Sequence, residues 1–180
     1  YTDPTTGCYN YDSILVNVTA PIAAIAGNDE SVCQDAGIIT LSGSPVGGIW
    51  SGNGISSNGE YNVINTGNFN FTYTIGSGNC ITDDQLILTV NSLPNVSAGS
   101  DLSFCIDDSI SNMTGIPSGG TWLGLGISSG TNDFNPYSAG PGTHLITYTY
   151  TNTNGCIGID DKLITVNGLP VVNAGSDITE

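Results

Sequence analysis

Five cysteines, sixteen acidic residues, one histidine and one cation are the groups in this 180-residue chain with chemistry to offer. The cysteines are Cys8, Cys33, Cys80, Cys105 and Cys156, and no two stand closer than the 25 positions that separate Cys80 from Cys105. Thiolate metal sites want close pairs such as C-x-x-C, so this spacing points to disulfides and to an oxidising compartment. Among the acids, Asp29, Asp101 and Asp177 each follow an Ala-Gly-Asn or Ala-Gly-Ser step, and the pairs Asp83-Asp84 and Asp160-Asp161 precede apolar runs. Calcium takes several hard oxygen ligands, and an opening Asp could join such a pair at a domain junction, which makes Asp29, Asp83, Asp84, Asp101, Asp160 and Asp161 candidate ligands. Against this, no D-x-D-x-D loop is present, and Asp beside Gly commonly caps a turn through its own side chain. Paired-carboxylate catalysis fits poorly, because adjacent residues of a strand face opposite ways. His144 is the only histidine, so no catalytic triad can recur with the rest of the pattern. No enzymatic activity is expected.

The same residues expose how the chain is organised. Cys33, Trp50, Gly54 and Ile55 return as Cys105, Trp122, Gly126 and Ile127, each 72 positions on. Cys80-Ile81 returns as Cys156-Ile157, now 76 on, because the second copy carries four extra residues. A period this long means that a small domain is used in series. Residues 1–20 read as the C-terminal tail of an upstream copy, 21–92 and 93–168 as two whole copies, and 169–180 as the start of another, which makes the chain a slice of a longer protein. The linkers Thr19-Ala20-Pro21 and Ser92-Leu93-Pro94 are short and stiffened by proline, so a semi-rigid string is expected.

Within each copy the elements are strands. Ile38-Ile39-Thr40-Leu41, Phe69 to Thr74, Leu86 to Val90, Leu145 to Tyr150 and Leu163 to Val166 are β-branched or aromatic and partly alternating, and no window supports a helix. Gly47-Gly48, Asn58-Gly59, Ser77-Gly78 and Asn154-Gly155 supply turns between them. About seven short strands per copy predict an all-β, two-sheet sandwich with Trp50 and Trp122 as core plugs. The periodic placement of the cysteines gives each full copy one internal disulfide, Cys33 with Cys80 and Cys105 with Cys156, and sends Cys8 to a residue upstream. Each such bridge closes a loop of about 50 residues and stabilises its copy by roughly 4 kcal/mol on the chain-entropy model. Tying the first strand to the last, it would keep residues 34–79 from being drawn out by a pull.

Composition narrows the partners. A formal charge of −15, with one basic residue against sixteen acidic ones, gives no footing for nucleic acid or for anionic lipid. No run of about 18 apolar residues is present for a bilayer span, so no membrane insertion is expected. Only 9% of residues are charged, so the faces are dressed mainly with Asn, Ser, Thr and Gly.

Three blocks carry a resemblance: Pro94-Asn95-Val96-Ser97-Ala98-Gly99-Ser100-Asp101; Gly47-Gly48-Ile49-Trp50-Ser51-Gly52-Asn53-Gly54-Ile55-Ser56; and Tyr137-Ser138-Ala139-Gly140-Pro141-Gly142 followed by a Thr/Tyr strand and Gly155-Cys156. They resemble the immunoglobulin-like or PKD-like repeats of giant cell-surface adhesins in gliding Bacteroidetes, over almost the whole chain. The resemblance implies tandem immunoglobulin-like domains, export to the cell surface, no catalytic residues, and work as a long adhesive or filamentous stalk. Asp12-Ser13-Ile14 and Asp108-Ser109-Ile110 are similar to the O-glycan acceptor pattern of the same phylum, which makes Ser13 and Ser109 candidate glycosylation sites. The partners expected are neighbouring repeats of the chain, then either other copies in a fibre or a surface polysaccharide held by exposed aromatics such as Tyr61, Tyr137 and Tyr150. A spacer is favoured, because no aromatic face repeats between the copies.

Overall fold

The computed structural model describes residues 4–173 and Gly175, so Ala174, Ser176 and Asp177, expected to open a further copy, lie outside the described residues. In the first copy the strands are β1 (Glu30–Cys33), β2 (Ile38–Thr40), β3 (Ile49–Ser51), β4 (Glu60–Asn62), β5 (Gly67–Ile75) and β6 (Thr82–Asn91). The second copy answers with β7 (Leu102–Cys105), β8 (Ser111–Asn112), β9 (Thr121–Leu123), β10 (Asp133–Phe134), β11 (Gly142–Thr151) and β12 (Ile157–Asn167). Between β10 and β11 stands a single helical turn, α1 (Pro136–Ala139), where an all-strand copy was expected. The reason is local: Asn135 caps the turn by accepting from the Ser138 N–H, and Pro136 at its first position loses no needed donor.

Each copy builds one four-stranded sheet, ordered β1-β6-β5-β3 or β7-β12-β11-β9, and one two-stranded sheet, β2-β4 or β8-β10. The first strand of each copy runs parallel to the last, with Cys33 beside Asn91 and Cys105 beside Asn167. β3 pairs antiparallel with β5, as β9 does with β11 and β11 with β12. This is the topology of an immunoglobulin-like sandwich, with six strands in each copy.

By packing, the chain divides into two compact units. The first gathers the residues up to Asp29 with Thr40–Tyr61 and Asn70–Ile87. Its core holds Trp50 against Tyr73, ring centroids 5.1 Å apart, and Tyr61 against Phe71 at 5.0 Å. The second takes Glu30–Ile39, Asn62–Phe69 and the chain from Leu88 on. Its core holds Trp122, Tyr148, Phe134, Ile146, Ile164 and Val166. Both tryptophans are buried, as their places in the middle strands predict.

One tyrosine contact recurs in each unit. The Tyr73 hydroxyl accepts from the Gly48 N–H at 2.8 Å and donates to the Pro45 carbonyl at 2.5 Å, and Tyr148 does the same with Gly120 and Pro117. The ring lies flat on Gly43, where a Cβ would sit 2.5 Å from its carbons, so only glycine fits that position. The two ring faces are thereby spent on packing.

Candidate functional site

The parallel first strand decides where the sulfurs can go. Cys33 ends β1 beside Asn91, the last residue of β6, while Cys80 precedes Thr82, its first. At roughly 3.3 Å per residue the two cysteines of this copy are about 30 Å apart along the strand. Cys105 and Cys156 stand at opposite ends of β12 in the same way. A disulfide needs its Cα atoms within about 7 Å, so the expected pairs Cys33–Cys80 and Cys105–Cys156 do not form. An antiparallel first strand would have allowed them; the parallel register forbids them.

Cys33 is bonded to Cys156, with the Cα atoms 5.6 Å apart and 123 positions of chain between them. The bridge therefore joins a residue of the first copy to a residue of the second. Both cysteines, and every residue that positions them, belong to the second compact unit.

Each half is held by backbone. On the Cys33 side, Gln34 N–H donates to the Asn91 carbonyl at 2.9 Å and Ala36 N–H to the Cys33 carbonyl at 3.0 Å, which turns the chain at the strand end. Asn91 fixes β1 further by donating its side-chain amide to Ser31 Oγ at 2.7 Å. On the Cys156 side the turn between β11 and β12 is organised by Asn152, whose carboxamide oxygen accepts from the N–H groups of Asn154 and Cys156 at 3.0 and 2.9 Å. The Asn152 amide reaches across to the Ser92 carbonyl at 3.3 Å, so the same turn holds the linker. Gly158 completes the contact, because a Cβ there would meet Val96 at 2.4 Å and the Pro94 carbonyl at 2.7 Å. Linker, turn and bridge thus form one packed junction.

The three other cysteines, Cys8, Cys80 and Cys105, are free and exposed. Cys80 lines a groove of about 230 Å³ with Thr19, Ala20, Pro21, Ile22 and the turn Ile75-Gly76-Ser77.

The candidate calcium ligands are placed differently from a cation cage. Asp84 accepts from the Ala26 N–H at 2.8 Å and Asp29 from the Ile87 N–H at 2.9 Å; Asp160 does so for Ala98 and Asp101 for Leu163 at the same distances. Each copy is stitched shut by two carboxylates, opening segment to last strand and back. Asp83 and Asp161 point to the other, exposed face, as adjacent strand residues must. Among the described residues no three His, Cys, Asp or Glu side chains come together as a metal site would require.

The remaining candidates stand apart. Ser13 and Ser109 are exposed. His144, on β11, donates from Nε2 to the Gly140 carbonyl at 2.9 Å. Tyr61, expected on the surface, is buried against Phe71 with 5% of its area exposed, and burial raises the pKa of its hydroxyl. Tyr137 is exposed and Tyr150 half-buried, so the three tyrosines present no common face.

Lys162 is a feature the sequence reading passed over. It occupies on β12 the place that Leu86 holds on β6, is itself buried, and sets its Nζ 4.7 Å from the centre of the Trp122 ring. Desolvation lowers its pKa, against a smaller upward pull from Asp101.

No protein-family model matches the sequence, and no curated protein sequence does. Among solved structures, the chain is similar to Drosophila OTK extracellular domains 3–5 at 15% identity, over 81% of this chain and 60% of that one, with a TM-score of 0.37. It is similar to Sidekick-1 immunoglobulin domains 1–4 at 16% identity, over 84% of this chain and 51% of that one, with a TM-score of 0.34. Human protocadherin-24 EC1-2 is matched at 8% identity over 84% of this chain and all of that one, with a TM-score of 0.34. The chain spans between half and two thirds of the length of the first two. Strand order and register make it a tandem of all-β, immunoglobulin-like sandwiches.

Proposed function

We propose that the chain is a non-enzymatic structural segment, a stalk or spacer in a large secreted surface adhesin or filament of a bacterium. The observation that carries this reading is the Cys33–Cys156 bond, which fastens one copy to the next. A module that acts by itself gains nothing from such a bond. A row of modules that must hold its form gains a fixed junction. The disulfide supports an oxidising, extracellular setting. A polysaccharide-binding role is less well supported, because both tryptophans and Tyr61 are buried. Calcium at the junctions and O-glycans on Ser13 and Ser109 are compatible additions to the spacer and are not needed by it.

Single-molecule stretching tests the reading. The bond encloses residues 34–155, a stretch whose full extension is about 400 Å at roughly 3.3 Å per residue. Pulled from its two ends without reductant, the chain is expected to show none of that extension, and with reductant all of it. Full release without reductant, or saturable binding on a glycan array, would overturn the spacer.

A further inference from the structure

We propose that the Cys33–Cys156 bond is one instance of a rule: the cysteine that ends the first strand of every copy bonds the cysteine that precedes the last strand of the copy after it. Cys105 and Cys80 are then not spare thiols but the two halves of the same bridge, each facing a further copy of this repeat. The inference rests on the spacer reading and adds the covalent scheme by which the row is locked.

Cys105 repeats the backbone setting of Cys33 and adds one bond, from its own N–H to the Asp108 carboxylate at 2.7 Å. Ile106 N–H donates to the Asn167 carbonyl at 2.9 Å, Asp108 N–H to the Cys105 carbonyl at 3.1 Å, and the Asn167 amide to Ser103 Oγ at 2.9 Å, matching Gln34, Ala36 and Asn91 in the first copy. It presents its thiol, exposed, at the end of β7. Cys80 holds the place of Cys156 in the repeat: it closes the turn before the last strand, two residues ahead of β6 where Cys156 stands one ahead of β12, and its N–H donates to the Ser77 carbonyl at 3.1 Å where that of Cys156 takes the Asn152 side chain. Thr82 there binds the linker as Gly158 packs on it in the second copy, accepting from the Ala24 N–H at 3.0 Å and donating to the Ile22 carbonyl at 2.5 Å. The groove beside Cys80 is formed by that linker and that turn, the counterparts of the parts that surround the bonded pair at Cys156. A seat and a thiol are therefore ready at Cys80, and the complementary thiol at Cys105.

The occupant is another copy of this repeat, because the second copy already meets the first in this manner. Bond formation follows ordinary exchange chemistry. One thiolate attacks a disulfide-form oxidant, the second displaces it from the mixed disulfide, and the oxidant leaves as two thiols with the two protons.

The test extends the full chain by a third copy, a duplicate of residues 93–168 placed directly after Gly168, where the natural Leu169-Pro170 already repeats Leu93-Pro94. After oxidative refolding and alkylation, an Asp/Glu-directed protease and mass spectrometry map the bonds. Two links are expected: Cys33 with Cys156, and Cys105 with the duplicate of Cys156. Cys8, Cys80 and the duplicate of Cys105 are expected to be alkylated. A Cys33→Ser variant is expected to lose the first link and keep the second. Cys105 found alkylated, bonded within its own copy, or bonded to Cys80 would overturn the rule. The spacer reading is judged separately, by the stretching of the unextended chain and by glycan binding, so the two can fail independently.

Discussion

Lys162 shows how one residue departs from its repeat. Its counterpart Leu86 is an apolar core residue, and Lys162 threads its stem along the same path to set its ammonium on Trp122. An ammonium taken from water loses more than a ring face returns, which is why its pKa falls. The folded chain therefore releases this proton at a lower pH than the unfolded chain does, and by linkage stability rises as pH climbs through the lowered value toward 10.5. Tyr61 acts in the opposite sense above pH 10, because its folded form keeps a proton that the unfolded chain gives up. With free thiols alkylated, urea denaturation is expected to show the rise in the natural chain and a flat profile up to pH 10 in Lys162→Leu. A variant that keeps the rise would place its origin elsewhere.

At the scale of elements, the carboxylate stitches close the sandwich where the backbone ladder cannot. β1 joins β6 only from Glu30 and Leu88 onward, so the Ile87 N–H has no strand partner and takes Asp29 instead, while the buried Ala26 N–H takes Asp84. Leaving a buried donor unpaired costs about 1–3 kcal/mol. Asp84→Ala is expected to lose about that much in urea denaturation, and Asp83→Ala, on the exposed face, less than about 0.5 kcal/mol. Equal losses would mean that the pair acts through charge and not through the bond to Ala26. These elements also mark what the sequence could reveal. Alternation and glycine steps located β2, β5, β6, β11 and β12, since a half-buried strand writes its own pattern, and Trp50 and Trp122 announced the core. The direction of β1 left no such mark. Glu30–Cys33 reads the same whether parallel or antiparallel to β6, and that single undetermined sign carried Cys33 to the wrong end of the strand and so to the wrong partner. The burial of Tyr61 was hidden likewise, because its packing against Phe71 is a cross-sheet contact that spacing along the chain does not encode.

For the molecule as a whole, the bond between copies makes their stabilities interdependent. A loop of this separation, 123 positions, is worth about 5 kcal/mol on the chain-entropy model. The double variant Cys33→Ala/Cys156→Ala is expected to lose up to about that amount, while Cys80→Ala leaves the unfolding midpoint unchanged; a Cys80→Ala loss of similar size would restore pairing within the copy. The register of the bridge also bears on inheritance. Under the proposed pairing, unequal recombination that adds or deletes whole copies hands each interior sulfur an equivalent mate from its new neighbour, whereas one missense change at a cysteine strands a thiol in the adjoining module. Strains of the source organism are therefore expected to differ freely in how many modules they encode while keeping both cysteine codons in nearly every one.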